Sequence, residues 1–219
     1  MSSFISRTCR TAFLALVIAV SGATWAGTAA FANTEEAGEF LMSLNREART
    51  QFDDPALDEG QKEQRFRELA ERSFDVPKIS KFVLGVNWRR ATEEQRNAFL
   101  QIFKEVNTQR FLPMFSEYRN QEFRVTKVRQ DEKNEDVYFV SSTITRAEGA
   151  PIKVEWRIYR GSDSFHILDV VAEGVSMVLT LRKEYATVIN NDGIDGLIAQ
   201  LREKVRSGTT EPVITTTAQ

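Results

Sequence analysis

The sequence predicts an α+β fold, on three observations. From Glu35 to Tyr118 apolar residues recur at helical spacing. From Phe123 to Glu173 four segments alternate apolar and polar residues and are joined by short polar connectors. After Gly174 the helical period returns. A block of strands set between blocks of helices favours helices packed on one antiparallel sheet over alternating βαβ units.

The chain opens differently. Arg7 and Arg10 precede the apolar run Ala12 to Val20 (AFLALVIAV), and Ala30-Phe31-Ala32 fits the small-x-small cleavage rule. Residues 1–32 therefore read as a secretory signal peptide, its run too short for a hydrocarbon layer of about 30 Å. Cleavage after Ala32 leaves 187 residues from Asn33 as a secreted chain. Cys9, the single cysteine, stands before the apolar run, whereas a lipid-attachment cysteine follows it. The remaining chain holds no thiol, so neither a disulfide nor thiolate chemistry is expected. Losing Arg7 and Arg10 moves the net charge from −2 to −4, which argues against nucleic acid as a partner.

The elements follow in order. Glu35 to Thr50 is a helix with Phe40, Leu41, Leu44 and Ala48 on one side. Phe52 to Gly60 is a loop, and Gln61 to Ser73 a second helix carrying Phe66, Leu69 and Ala70. Pro77 suits the first turn of a short third helix, and Gly85 its C-terminal stop. Thr92 and Gln95 form a capping-box pair ahead of Phe99, Ile102, Phe103 and Val106; Pro113 should kink or end that helix. Phe123–Gln130, Asp136–Thr145, Ile152–Arg160 and Phe165–Glu173 are strands of a meander. Val178, Leu181, Tyr185, Val188 and Ile189 mark a further helix, broken at Asn190 to Gly193; Leu197, Ile198, Leu201 and Val205 mark the last. The expected division is a signal peptide over 1–32, one domain over 33–206 and a Thr-rich, flexible tail over 207–219.

Groupings that carry chemistry are scarce. His166, the single histidine, sits in a strand between Phe165 and Ile167 and reads as structural. Gly174-Val175-Ser176-Met177-Val178 lacks the second glycine of a nucleophile elbow. Asp131, Glu132, Glu135 and Asp136 are interrupted by Lys133 and match no calcium loop; Asn190 to Gly196 reads as a helix end and a cap. With no metal-ligand spacing and no glycine-rich phosphate loop after a strand, no cofactor or metal is expected, and the chain reads as a non-enzyme. It is nevertheless rich in apolar helical stripes, more than one layer over a four-stranded sheet needs. A larger core and a cavity both fit that surplus.

Two segments carry a resemblance. Phe74 to Tyr118 contains Phe74-Asp75, Leu84-Gly85, Trp88-Arg89, Ala91-Thr92 and Glu94-Gln95-Arg96; Val154 to Ile189 contains Trp156-Arg157, Asp169-Val170, Glu173-Gly174-Val175-Ser176 and Arg182. Together they resemble the MlaC family of periplasmic phospholipid-binding proteins, also called toluene-tolerance auxiliary components, from about Glu36 to Val205. Asn87 departs from the aromatic expected before Trp88, and Leu181 from the polar residue often found before the arginine. A related branch is linked to hopanoids.

The resemblance implies a curved antiparallel sheet of about four strands that encloses lipid tails against several helices. It implies a carrier exchanging phospholipid between an inner-membrane ABC transporter complex and an outer-membrane lipoprotein complex, and so a part in outer-membrane lipid asymmetry. On that reading Val154, Trp156, Ile158, Val175, Met177 and Leu179 form one cavity wall and Phe99, Phe103, Phe111 and Phe115 the opposite one. Arg89 and Arg182 are head-group candidates, equally readable as surface ion pairs, and each wall residue is equally readable as plain core. Other readings are a carrier for hopanoid or another apolar lipid, a non-catalytic adaptor of an envelope complex, and an enzyme acting on periplasmic lipid or wall, which lacks a nucleophile–base pair.

Overall fold

Capping and turn chemistry divide the chain into its elements. The computed structural model describes residues 25–52, 54–118, 121–146 and 148–209. Helix α1 (Trp25–Phe52) begins ten residues before the expected start and crosses the expected cleavage point at Ala32. The arginines, apolar run and Cys9 of the expected signal peptide lie outside the described residues, as do residues 210–219 of the expected tail. Helix α2 (Glu59–Ser73) starts two residues early because Asp58 caps it. The Gln61 amide donates to Asp58 Oδ1 at 2.8 Å, and the Asp58 amide donates to Gln61 Oε1 at 3.0 Å.

Helix α3 (Val76–Leu84) is capped by Asp75, which accepts from the Lys78 amide at 3.0 Å, and stops at Gly85 with φ 57°. The Asp75 amide donates to the Ile167 carbonyl at 3.1 Å, tying the start of α3 to the sheet. After the single turn α4 (Asn87–Arg90), helix α5 (Glu93–Tyr118) opens on the expected capping box, Gln95 N to Thr92 Oγ1 at 3.2 Å and Thr92 N to Gln95 Oε1 at 3.0 Å. Of the two effects expected of Pro113, a kink or an end, the end does not occur: α5 runs on to Tyr118. Packing of Phe115 on Phe52 and Phe66, with ring centroids 4.8 and 5.3 Å away, holds the last turn in place.

The strands are β1 (Phe123–Gln130), β2 (Val137–Ile144), β3 (Ile152–Arg160), β4 (Phe165–Ala172) and β5 (Val175–Ser176). They pair in sequence order, every pair antiparallel, with register shifts between Val125 and Lys127 and between Arg157 and Ile158. The sheet thus has the expected four strands and a two-residue fifth, formed where Gly174, at φ 81°, folds Val175 and Ser176 back onto β4. Helix α6 (Met177–Ser207) follows at once, with Gly193 at φ 72° breaking its helical geometry where the sequence predicts an interruption.

Two cores result. α3, α5 and α6 pack together through Val83, Leu84, Phe99, Val106, Leu181, Tyr185 and Leu201. α1 lies on the sheet through Ala37 and Leu41 against Tyr138, Val140, Ile158 and Ile167. A smaller cluster of Val154, Ala172 and Met177 stands between them, and there the packing opens.

Candidate functional site

The opening is a cavity of about 380 Å³, within the roughly 300–1,000 Å³ of small-molecule sites. Its lining is almost wholly apolar. α1 contributes Leu41, Leu44 and Ala48; α2 contributes Phe66, Leu69 and Ala70. One face of α5 supplies Phe103, Phe111, Met114 and Phe115 at helical spacing. The sheet floor is Ile152, Val154 and Trp156 of β3 with Val170 and Ala172 of β4, and Met177, Val178 and Leu181 of α6 close one end.

Polar groups reaching the cavity are mostly satisfied by the protein. Ser73 Oγ donates to the Leu69 carbonyl at 2.7 Å, Thr108 Oγ1 to the Lys104 carbonyl at 2.9 Å, and Trp156 Nε1 to Ser142 Oγ at 2.9 Å. Asn107 Oδ1 is the exception, buried without a partner. Asp169 is engaged in capping α6: Oδ1 accepts from the Val178 amide at 3.1 Å, and Oδ2 from Ser176 Oγ at 2.5 Å. Charges gather where α2 meets α5. Arg67 bonds Glu105 at 2.5 Å and Glu63 at 2.8 Å, and Lys104 bonds Glu71 at 2.9 Å. The hydrogen bond to Glu105 holds the Arg67 guanidinium above its ordinary pKa, against the opposing effect of burial.

Of the wall residues expected from the sequence, Phe103, Phe111, Phe115, Val154, Trp156 and Met177 line this cavity. Four do not. Phe99 lies at the N-terminal end of α5, packed on Phe103 and Tyr185 at centroid distances of 5.4 and 6.0 Å. Ile158 is fully buried beneath α1, in the half of the sheet face that the helix fills. Val175 and Leu179 are exposed: Val175 sits in the short edge strand, and Leu179 on the side of α6 opposite the buried Val178 and Leu181. Arg182 lies away from the cavity, donating to the Phe82 carbonyl at 3.0 Å and stacking over the Phe82 ring; Arg89 is exposed on α4. The contribution of α1 and α2 was missed. Their apolar stripes are visible in the sequence, but nothing there says which stripe faces another helix and which faces space.

Fold and site define a class: an α+β domain in which helices and an antiparallel meander close around an apolar chamber. More particularly, the chain belongs to the MlaC protein family, whose model matches residues 41–203. It is 29% identical over 135 residues to the intermembrane phospholipid transport system binding protein MlaC of Haemophilus influenzae. That match takes in 60% of this chain and 61% of the relative's length. In structure the chain is similar to a phospholipid-binding protein of Ralstonia solanacearum solved in complex with a phospholipid. The TM-score is 0.69 at 21% identity, covering 80% of this chain and 99% of the other.

Proposed function

We propose that this chain is a periplasmic carrier that holds phospholipid by its acyl chains in the cavity and passes it between inner-membrane and outer-membrane complexes. The observation that carries the reading is the chamber itself, almost wholly apolar in its lining and bounded by elements of a fold shared with a phospholipid-bound structure. The six expected wall residues that border it are the proposed tail contacts, and the charged α2–α5 edge is where a head group meets water. Residues 1–32 are the proposed leader.

The energetics suit a carrier. About thirty methylenes withdrawn from water contribute on the order of 24 kcal/mol gross, so escape into water is very slow. Transfer from a bilayer to an equally dry chamber is close to neutral, because the tails leave one apolar medium for another. Loading and unloading therefore need contact with a membrane system, and direction comes from the partners.

The test is organic extraction and mass spectrometry of protein purified without detergent from the periplasm. Phospholipid in fixed ratio to protein is expected, and Trp156→Glu, which sets a charge in the floor, is expected to lose it while remaining folded by circular dichroism. Native protein free of lipid would refute the proposal, as would retention in a folded Trp156→Glu variant.

A further inference from the structure

The outer side of the cavity's end wall carries its own pattern. Helices α3 and α6, which send Ile79, Val178 and Leu181 inward, expose Phe82 (40%) and Leu179 (50%) outward, and the residues beside them, Val86 (54%) before α4 and Val175 (45%) in β5, are exposed too. Arg182 joins the two sides. It stands one turn after Leu179, its guanidinium lies 4.8 Å from the Phe82 ring centroid, and its Nη2 comes within 2.9 Å of where a Cβ on Gly85, next to Val86, would be. These exposed apolar residues are therefore neighbours at one corner of the molecule.

The charge there runs against the rest of the chain. Between Asp75 and Glu93 the chain carries Lys78, Lys81, Arg89 and Arg90 and no acidic residue, and between Glu173 and Glu184 it carries Arg182 and Lys183 and no acidic residue. The whole chain is net −2. Lys78 pairs with Asp75, but Lys81, Arg89, Arg90, Arg182 and Lys183 make no ion pair with a described residue.

Neighbouring exposed apolar side chains on segments whose cations make no ion pair have the chemistry of an interfacial binding surface, apolar tips entering the acyl boundary and cations meeting anionic head groups. We infer that this corner docks directly on an anionic bilayer surface. An acidic protein segment would share the charge. The exposed side chains of Phe82, Val86, Val175 and Leu179, however, none of which lines the chamber, call for an acyl boundary, which an acidic segment does not supply. Docking here brings the wall made by α3 and α6 against the membrane, so the corner sets where lipid exchange takes place and the chamber sets what is carried.

The test is vesicle flotation with the secreted full-length product. Vesicles of phosphatidylglycerol with phosphatidylethanolamine are expected to bind it, phosphatidylcholine vesicles to leave it behind, and salt raised to about 0.5 M to release it. The double variant Lys81→Glu/Arg90→Glu and the single variant Leu179→Asp are each expected to weaken binding by roughly tenfold or more, with unchanged melting temperature and unchanged extracted lipid. Equal binding to both vesicle types, no binding to the anionic ones, or anionic binding indifferent to these variants would overturn the inference. Capture by soluble polyglutamate without vesicle binding would also overturn it and assign the corner to an acidic protein. Because extracted lipid is measured in the same samples, failure here is separable from failure of the carrier reading.

Discussion

Tyr185 is buried between Phe99 and Phe103, and its hydroxyl has no hydrogen-bond partner. Burial pushes its pKa well above the ordinary value near 10; Arg110 opposes this and Glu184 adds to it. The native state thus prefers the neutral phenol. The stability this confers is complete below the unfolded value of about 10 and is lost as pH rises beyond it. Tyr185→Phe is expected to be neutral or mildly stabilising at pH 7, since the orphaned hydroxyl disappears. It should also flatten the loss of stability above about pH 10, as urea titrations across that range will show. Gly85 is constrained in another way: φ is 57°, and a Cβ would meet the Arg182 guanidinium at 2.9 Å. Gly85→Ala is expected to cost on the order of 1–3 kcal/mol, read from the shift in urea midpoint. An unchanged midpoint would show that neither the backbone conformation nor Arg182 opposes a side chain there.

Among the elements, α3 is short, and its position depends on the residue that caps it. Asp75 caps it, bonds the Lys78 ammonium, and through its amide joins the sheet at Ile167. Burial pushes the Asp75 carboxyl up, but the side-chain and backbone hydrogen bonds from Lys78 outweigh it and hold the group below the usual carboxylate range. Its contribution is therefore present above the unfolded value of about 3.9 and is lost as pH falls through the folded one. Asp75→Ala is expected to cost about 1 kcal/mol at pH 7 and less in acid, measured by urea unfolding at both. The same element marks how far patterns carry. Pro77 and Gly85 bracket α3 from composition, and Thr92 with Gln95 announces α5. Pro113, by contrast, is a strong local breaker overruled by aromatic packing at Phe115, a contact between residues far apart in the chain.

On the scale of the whole molecule, the question is whether apolar surface meets itself or surrounds space. Ala70 lines the chamber from α2. In a filled core Ala70→Phe would cost about 1–3 kcal/mol through overpacking. In a hollow one the ring occupies free volume, so the melting temperature is expected to hold or rise while extracted lipid per protein falls. Calorimetry and mass spectrometry on one preparation decide between these.

Part of the cavity lining is legible in the sequence and the larger part is not. Val154 and Trp156 follow from strand alternation, and Phe103, Phe111 and Phe115 from helical spacing, because those periods reflect local geometry. Ile158 has the same alternation and Phe99 the same spacing, yet both are sealed in solid core; Val175 and Leu179 sit in an equally apolar stretch, yet face water.

By itself, the order of residues determined the α+β class, the strand segments, the Thr92–Gln95 cap of α5 and the breaks at Gly85, Gly174 and Gly193, since period, turn and cap are set by residues a few positions apart. Only the tertiary structure decided that the chamber lies between α1, α2, α5 and the sheet, that α1 fills one half of the sheet face, and that Arg182 braces α3. Those outcomes depend on which apolar faces meet, and hydrophobic attraction, having no direction, leaves that choice to the packing of the whole chain.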